Sequence, residues 1–394
     1  MQYRVDKKSG NKLSVLGFGC MRFPLSFQKT EEIVMRSIEI GVNYFDTAWI
    51  YPGSEETLGT VLNKNRVREK VYIATKLPLL MVKKTEDFDK FFNQSLQRLK
   101  TDYIDYYLMH MLMDAEQWEK LKSMGIKDWI ARKKKSGEIK QIGFSFHGSS
   151  SEFLKIIEDD IWEFCMIQYN YSDENYQAGV KGLRAAAEKM SIMIMEPLLG
   201  GRLATGLPKE AVNIFKKADS NLTPAGWAFN WLWNQDEVTT LLSGMNSMEQ
   251  LEENAHLADT SSVGMLTDNQ KSVYKSVLES INRACKILCT GCNYCMPCPV
   301  GVNIPGCFSS YNTLHSMGFV MGMKHYLMST GLMSEKDTGP GACIKCGKCE
   351  THCPQNIAIM KELETVKKKM DTWWLRFIGA CARAFTGRKR KRRK

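Results

Sequence analysis

No stretch of this 394-residue sequence is apolar for long enough to span a bilayer, and its first residues, MQYRVDKKSGNKLS, hold no apolar run of the kind that opens a secreted chain. The expected compartment is therefore a reducing cytoplasm, where cysteines serve as thiols or metal ligands rather than in disulfides. A GxGxxG turn is missing after the first predicted strand, because Gly17 and Gly19 sit in LGFGCMRF, which opens no helix. That absence argues against a doubly wound dinucleotide fold. A large charge surplus is missing as well, once the formal +11 is located along the chain. Residues 388–394, RKRKRRK, carry seven of those charges, and metal-bound thiolates would remove roughly four more. The remaining body is near neutral to mildly basic, and nucleic-acid binding is not indicated. With 44% hydrophobic and 25% charged residues the composition is that of a globular protein, long enough for one large domain and a small one.

Cysteine is abundant. Eight of the 13 fall in two runs, Cys289-x2-Cys292-x2-Cys295-x2-Cys298-Pro299 and Cys343-x2-Cys346-x2-Cys349-x3-Cys353-Pro354. Each three-cysteine run can wrap one corner of a [4Fe–4S] cubane, while the cysteine before proline commonly reaches the other cluster. The expected ligand sets are Cys289, Cys292, Cys295 with Cys353, and Cys343, Cys346, Cys349 with Cys298. The first run closes one residue early, which leaves the crossed pairing less firmly specified there. Zinc ribbons also use Cys-x2-Cys, but as two pairs rather than two runs of four ending in Cys-Pro. Cys20, Cys165, Cys285, Cys307 and Cys381 lie outside the runs and are expected to be small buried hydrophobes.

Up to about residue 260, short apolar runs alternate with helical patterns. Strands are predicted at 13–18, 42–45, 71–75, 103–109, 141–145, 165–169, 192–195 and 238–242, with helices at 31–40, 55–62, 88–99, 118–135, 176–189 and 248–255. Eight βα repeats in that length predict an α/β fold of the (β/α)8 TIM-barrel type over residues 1–264. Residues 265–369 read as a small, mostly helical ferredoxin-like domain for two clusters, with a helix at 309–328 and turns at GVNIPG (301–306) and DTGPGA (337–342). Residues 370–394 read as an amphipathic helix and a polybasic tail.

Asp46 and Tyr51 in NYFDTAWIYPGSEETLG, Lys76 in IATKLP and His110 in YYLMHML together look like the catalytic tetrad of the aldo/keto reductase family, and three of them fall at predicted strand ends, where barrel enzymes place their chemistry. A carbonyl accepting hydride develops negative charge on oxygen and needs a proton. Tyr51 would be the acid, Lys76 would lower its pKa, Asp46 would orient the lysine, and His110 would polarise the substrate oxygen. With these motifs the chain resembles the aldo/keto reductase family, in the branch that carries an iron–sulfur domain, over nearly all residues up to about 362. The resemblance implies NAD(P)H as cofactor. In LLSGMNSMEQLEEN, residues Ser243, Gly244, Met245 and Asn246 correspond to the phosphate-binding loop. Glu253 and Asn254 match adenine contacts, and Ser145 and Gln168 match the carboxamide contacts. Three departures stand out: Ser145-Phe146 replaces a Ser-Asn pair, Met195 stands where an aromatic stacks on the nicotinamide, and Gly244 and Gln250 stand where basic residues often grip a 2′-phosphate. Glu196, at another strand end, is expected to bond a neighbouring loop, with a second acid/base role or a metal contact as the alternative.

These features predict an oxidoreductase that reduces a small-molecule carbonyl or conjugated carbonyl, with the clusters linking it to a ferredoxin- or flavodoxin-like electron partner. Two alternatives remain open in the sequence: an electron-transfer or assembly module on an inactive barrel, and a flavin in the barrel, for which no specific motif is present. In WWLRFIGACARAFT (373–386), Trp374, Phe377, Ile378, Cys381 and Phe385 share one helical face opposite Arg376 and Arg383. Together with RKRKRRK this suits the anionic inner face of a membrane; the alternative is that the stripe packs on the protein's own body.

Overall fold

The structure, a computed structural model, describes residues 1–394 except 149, 176, 285, 288, 290, 292–294, 333–336, 354–356 and 386–394. The predicted ligand Cys292, the free Cys285 and the basic run 388–394 lie outside the described residues. The chain forms two compact units, residues 1–203 with 222–268, and residues 204–221 with 269–394.

In the first unit eight parallel strands close into a barrel: β1 (Leu16–Gly19), β2 (Tyr44–Asp46), β3 (Tyr72–Leu77), β4 (Ile104–Leu112), β5 (Ile139–Phe146), β6 (Phe164–Gln168), β7 (Ser191–Met195) and β8 (Thr240–Ser243). They pair in chain order, and β8 pairs with β1 through Leu241 opposite Leu16. The strands are short and almost wholly buried, as a sheet covered on both faces requires. Alternate residues fill two compartments. Tyr44, Tyr106, Phe164, Met166 and Met193 pack inside the barrel, while Phe45, Ile73, Tyr107, Ile142 and Ile167 face the surrounding helices.

An antiparallel hairpin, Tyr3–Val5 with Lys12–Ser14, precedes the barrel. The Lys7 N–H donates to the Ser191 Oγ at the start of β7 (2.8 Å), and the Ser14 N–H donates to Asn43 Oδ1 just before β2 (2.8 Å). The Tyr106 hydroxyl, inside the barrel, donates to Asp6 (3.0 Å) and accepts from Asn11 Nδ2 (3.3 Å). The hairpin thus lies across the N-terminal end of the strands.

The predicted helix 118–135 is two, Ala115–Ser123 and Ile126–Lys135, because Gly125 takes a left-handed conformation (φ 82°) between them. The predicted helix 309–328 likewise divides, into Ile304–Met317 and Phe319–Ser329 at Gly318 (φ 86°, ψ 173°), a region open essentially to glycine alone.

In the second unit the Lys209–Ala218 and Asp268–Ala284 helices meet through Phe215 and Tyr274 and through Glu210, which accepts from Ser280 Oγ (3.0 Å) and from Arg283 (2.7 Å). Four further helices, Ile304–Met317, Phe319–Ser329, Ile359–Met370 and Trp373–Phe385, bury a core that includes Phe308, Tyr311, Tyr326, Val366 and Met370. Among the described residues no helix is long and apolar enough to cross a membrane.

Candidate functional site

Asp46 ends β2, Lys76 lies one residue from the end of β3, and His110 lies near the end of β4, so three side chains rise at the C-terminal rim of adjacent strands. The Lys76 ammonium donates to both Asp46 oxygens (2.7 Å each) and to the Thr47 carbonyl (2.6 Å), which uses all three of its protons. Both members of the pair are buried. Burial pulls the Lys76 pKa down, but Asp46, Tyr51 and Cys20 more than offset this and raise it, so the ammonium is held charged.

Tyr51 lies in the turn after β2. Its N–H donates to the Ala48 carbonyl and its own carbonyl accepts from Ser54 N–H, while the Ser54 hydroxyl meets Thr47 Oγ1 (2.7 Å) and the Cys20 carbonyl (2.8 Å). The turn holds the Tyr51 ring with its centroid 5.2 Å from Lys76 Nζ and 6.0 Å from the His110 ring, edge to face. The four residues named from the sequence are therefore brought together. One expectation needs correction, the net direction of the Tyr51 pKa. Lys76 does draw it down, but burial and the neighbouring Asp46, Glu196 and Cys20 outweigh that pull and raise it above its ordinary value.

His110 is buried, and its Nδ1 has no hydrogen-bond partner among the described residues. Burial, with Lys76 and His147 adding, pushes its pKa down to about 3, which makes the ring a neutral imidazole. His147 itself, two residues beyond Ser145, is lowered by burial and by Lys76. Sequence reasoning passed over His147; its signal was a second histidine directly after a predicted strand. Cys20, expected to be an inert buried hydrophobe, is buried as expected but lies close enough to feel Asp46 and Lys76.

The remaining rim residues have internal partners. Ser145 Oγ accepts from the N–H of Met111 (2.9 Å), a residue with φ 59°, and Gln168 Oε1 accepts from Gln177 (3.3 Å). At the end of β8, Asn254 Nδ2 donates to Ser243 Oγ (3.2 Å), Gln250 Oε1 accepts from Asn246 N–H (3.0 Å), and Ser247 caps the helix Met248–Asp259. Gly244 follows Ser243, Met245 is buried, and Glu253 accepts from the Thr223 hydroxyl (2.5 Å). Neither Gly244 nor Gln250 brings a cationic side chain to this rim. Glu196 follows β7 in a left-handed conformation (φ 55°), its carbonyl accepting from Leu199 N–H (2.9 Å) and its carboxylate lying beside Gly200.

In the second unit Cys298, Cys343, Cys346 and Cys349 line one recess together with Val302, Ile304, Met360 and Leu363. The Lys345 N–H donates to Cys343 Sγ (3.4 Å), and Lys345 (φ 58°) and Gly347 (φ 76°) curl the loop around the sulfurs. Burial first, with Glu350, Cys343 and Cys298 adding, raises the Cys349 thiol, so metal binding there must displace a proton. Four sulfurs, an apolar wall and an N–H···S contact fit an iron–sulfur cubane. Of the other predicted set, Cys289, Cys295 and Cys353 pack on the same core. Among the cysteines outside the runs, Cys165 and Cys307 are buried as expected, but Cys381 is exposed.

Comparison with known proteins yields two matches that divide the chain as the sites do. The model of the aldo/keto reductase family matches residues 15–268, and that of a 4Fe-4S dicluster domain matches residues 288–358. Protein REDOX 2 of Catharanthus roseus is 28% identical over 283 residues, which cover 65% of this chain and 84% of that protein. L-glyceraldehyde 3-phosphate reductase of Escherichia coli K12 is 23% identical over 307 residues, covering 64% and 86%. A solved aldo-keto reductase of Bacillus halodurans, in holo form, aligns with a TM-score of 0.58 and 23% identity over 70% of this chain and 96% of that one, a likeness of fold.

Proposed function

Because the chain belongs to the aldo/keto reductase family, an oxidoreductase family, and carries a 4Fe-4S dicluster domain, we propose that it reduces a carbonyl or conjugated carbonyl of a small molecule, with Tyr51 as proton donor. The observation that carries this reading is the buried Lys76–Asp46 pair beneath Tyr51 and His110. Tyr51 keeps its proton at neutral pH, so it is loaded for donation. The Lys76 ammonium, with its protons committed to Asp46 and Thr47, acts by its field: it stabilises the phenolate as the proton leaves. Neutral His110 offers the substrate oxygen an N–H without competing for that proton.

A nicotinamide dinucleotide supplies the hydride in this scheme. Ser145 and Gln168 would hold its carboxamide, Ser243, Gly244, Met245, Asn246 and Gln250 its phosphates, and Glu253 and Asn254 its adenine. The clusters supply one-electron exchange with a ferredoxin- or flavodoxin-like partner, held by Cys289, Cys292, Cys295 with Cys353 and by Cys343, Cys346, Cys349 with Cys298. In this organisation residues 1–264 are the reductase, 265–369 the cluster domain and 370–394 a tail that touches an anionic membrane face.

Anaerobically purified protein titrated with NADH, NADPH and dithionite tests the scheme, with iron and sulfide counted. Tyr51→Phe is expected to lower carbonyl turnover by about a hundred- to ten-thousandfold while dinucleotide binding stays within about twofold. Unchanged turnover would refute Tyr51 as the donor.

A further inference from the structure

The Trp373–Phe385 helix uses two of its faces. Leu375 is buried in the core of the second unit, and a Cβ on Gly379 would come within 2.7 Å of the Leu332 carbonyl, so the helix backbone presses against the unit there. The Arg376 guanidinium is neutralised by Asp371. The other face is open: Trp373 is 81% exposed and Phe377 64% exposed, one turn apart, with Ile378 and Cys381 exposed beside them. One face of this helix is packed on the unit and the other is exposed.

A second apolar segment adjoins. The ring of Trp374 lies 6.0 Å from that of Phe319, the first residue of the Phe319–Ser329 helix, where Phe319 is 56% exposed, Val320 75% exposed, and Met321 exposed. Two helices of one unit, linked through Trp374 and Phe319, thus each expose large apolar side chains, although each such side chain gains by leaving water. The sequence setting of the Trp373–Phe385 helix is rich in basic residues. No acidic residue occurs in 372–394, the run 388–394 is wholly basic, and Lys367, Lys368 and Lys369, all exposed, precede the helix.

We infer that these two helices form one docking platform for an anionic bilayer surface, with Phe319 and Val320 seated beside Trp373 and Phe377 at the boundary between headgroups and acyl chains. This rests on the membrane reading of the tail and adds its second, non-contiguous half. An apolar face with aromatic side chains, fixed in orientation by Leu375 and flanked in sequence by basic residues, matches what such a surface recognises. Each buried large apolar side chain accounts for about a tenfold or greater change in partition.

The experiment is flotation of the cluster-loaded full chain with vesicles of phosphatidylcholine, with and without about 30% phosphatidylserine, at low and high salt. Expected is binding that needs the anionic lipid and falls about tenfold or more in Phe319→Asp/Val320→Asp and in Phe377→Asp, with iron content and visible spectrum unchanged as the check on folding. If removal of residues 388–394 releases the protein from vesicles but Phe319→Asp/Val320→Asp binds like the parent, the platform is overturned and the tail reading stands. If the full chain does not float at low salt, both fail, and concentration-dependent dimerisation relieved by Phe377→Asp would assign the patch to a second copy of this chain.

Discussion

The two units arrange their functional side chains by opposite means. In the barrel, Lys76 and Asp46 are buried among eight closed strands and saturated by their own hydrogen bonds, so the site is held by packing and by its own polar partners. In the second unit the cysteines are only half-buried, Cys346 is exposed, and the core beneath them is small. Such a core supplies little stability, and the missing part comes from the ligand it binds. The barrel site carries its own partners, whereas the cysteine recess would gain its remaining order from the clusters proposed for it.

That contrast can be broken most sharply at Cys346. Cys346→Ser is expected to lower iron from about eight to about four per chain and to loosen the second unit, because ligation and folding are coupled there. The barrel's unfolding transition should stay where it is; a shift of both transitions would mean that the barrel also depends on the clusters.

Next in size is the reverse experiment. Lys76→Met leaves the Asp46 carboxylate buried without its partner, a loss of about 3–5 kcal/mol. Barrel unfolding in denaturant should show it while the iron content is unchanged, and Asp46→Asn added to Lys76→Met should recover part of the loss.

A smaller effect separates the units by pH. With a pKa near 3 in the fold against an ordinary 6.5, His110 binds its proton more readily when unfolded. Its contribution is complete above pH 6.5 and drains away as pH falls toward 3, amounting to about 2 kcal/mol lost between pH 6.5 and 5. The variant His110→Asn should flatten the barrel's stability over that interval and leave the second unit's unchanged.

The smallest test is Gly125→Ala. Open space surrounds the position, so only the left-handed backbone opposes a side chain, at about 1 kcal/mol, or a fall in Tm of about 2–4 °C confined to the barrel.

Much of the barrel was legible because most of its strands are largely apolar and buried on both faces, as β4 and β6 are. What the pattern hid were places where periodicity survives a break in the chain: Gly125 and Gly318 each interrupt a helix whose apolar spacing carries across the gap. The rim residues at strand ends could be named, since position along a strand is a sequence property. The sign of the Tyr51 shift could not, because burial, which only packing sets, together with Asp46, Glu196 and Cys20 outweighs the pull of Lys76. The tail posed a choice between inward and outward packing that helical spacing cannot decide. Leu375 and Trp373, two residues apart, point to different surroundings.

The N-terminal hairpin has a consequence for traffic. With Asp6 and Asn11 bonded to Tyr106 across the starts of the strands, the barrel is a blind vessel, stoppered at its base. The path to Lys76 and Tyr51 therefore runs from the C-terminal rim, where their strands end.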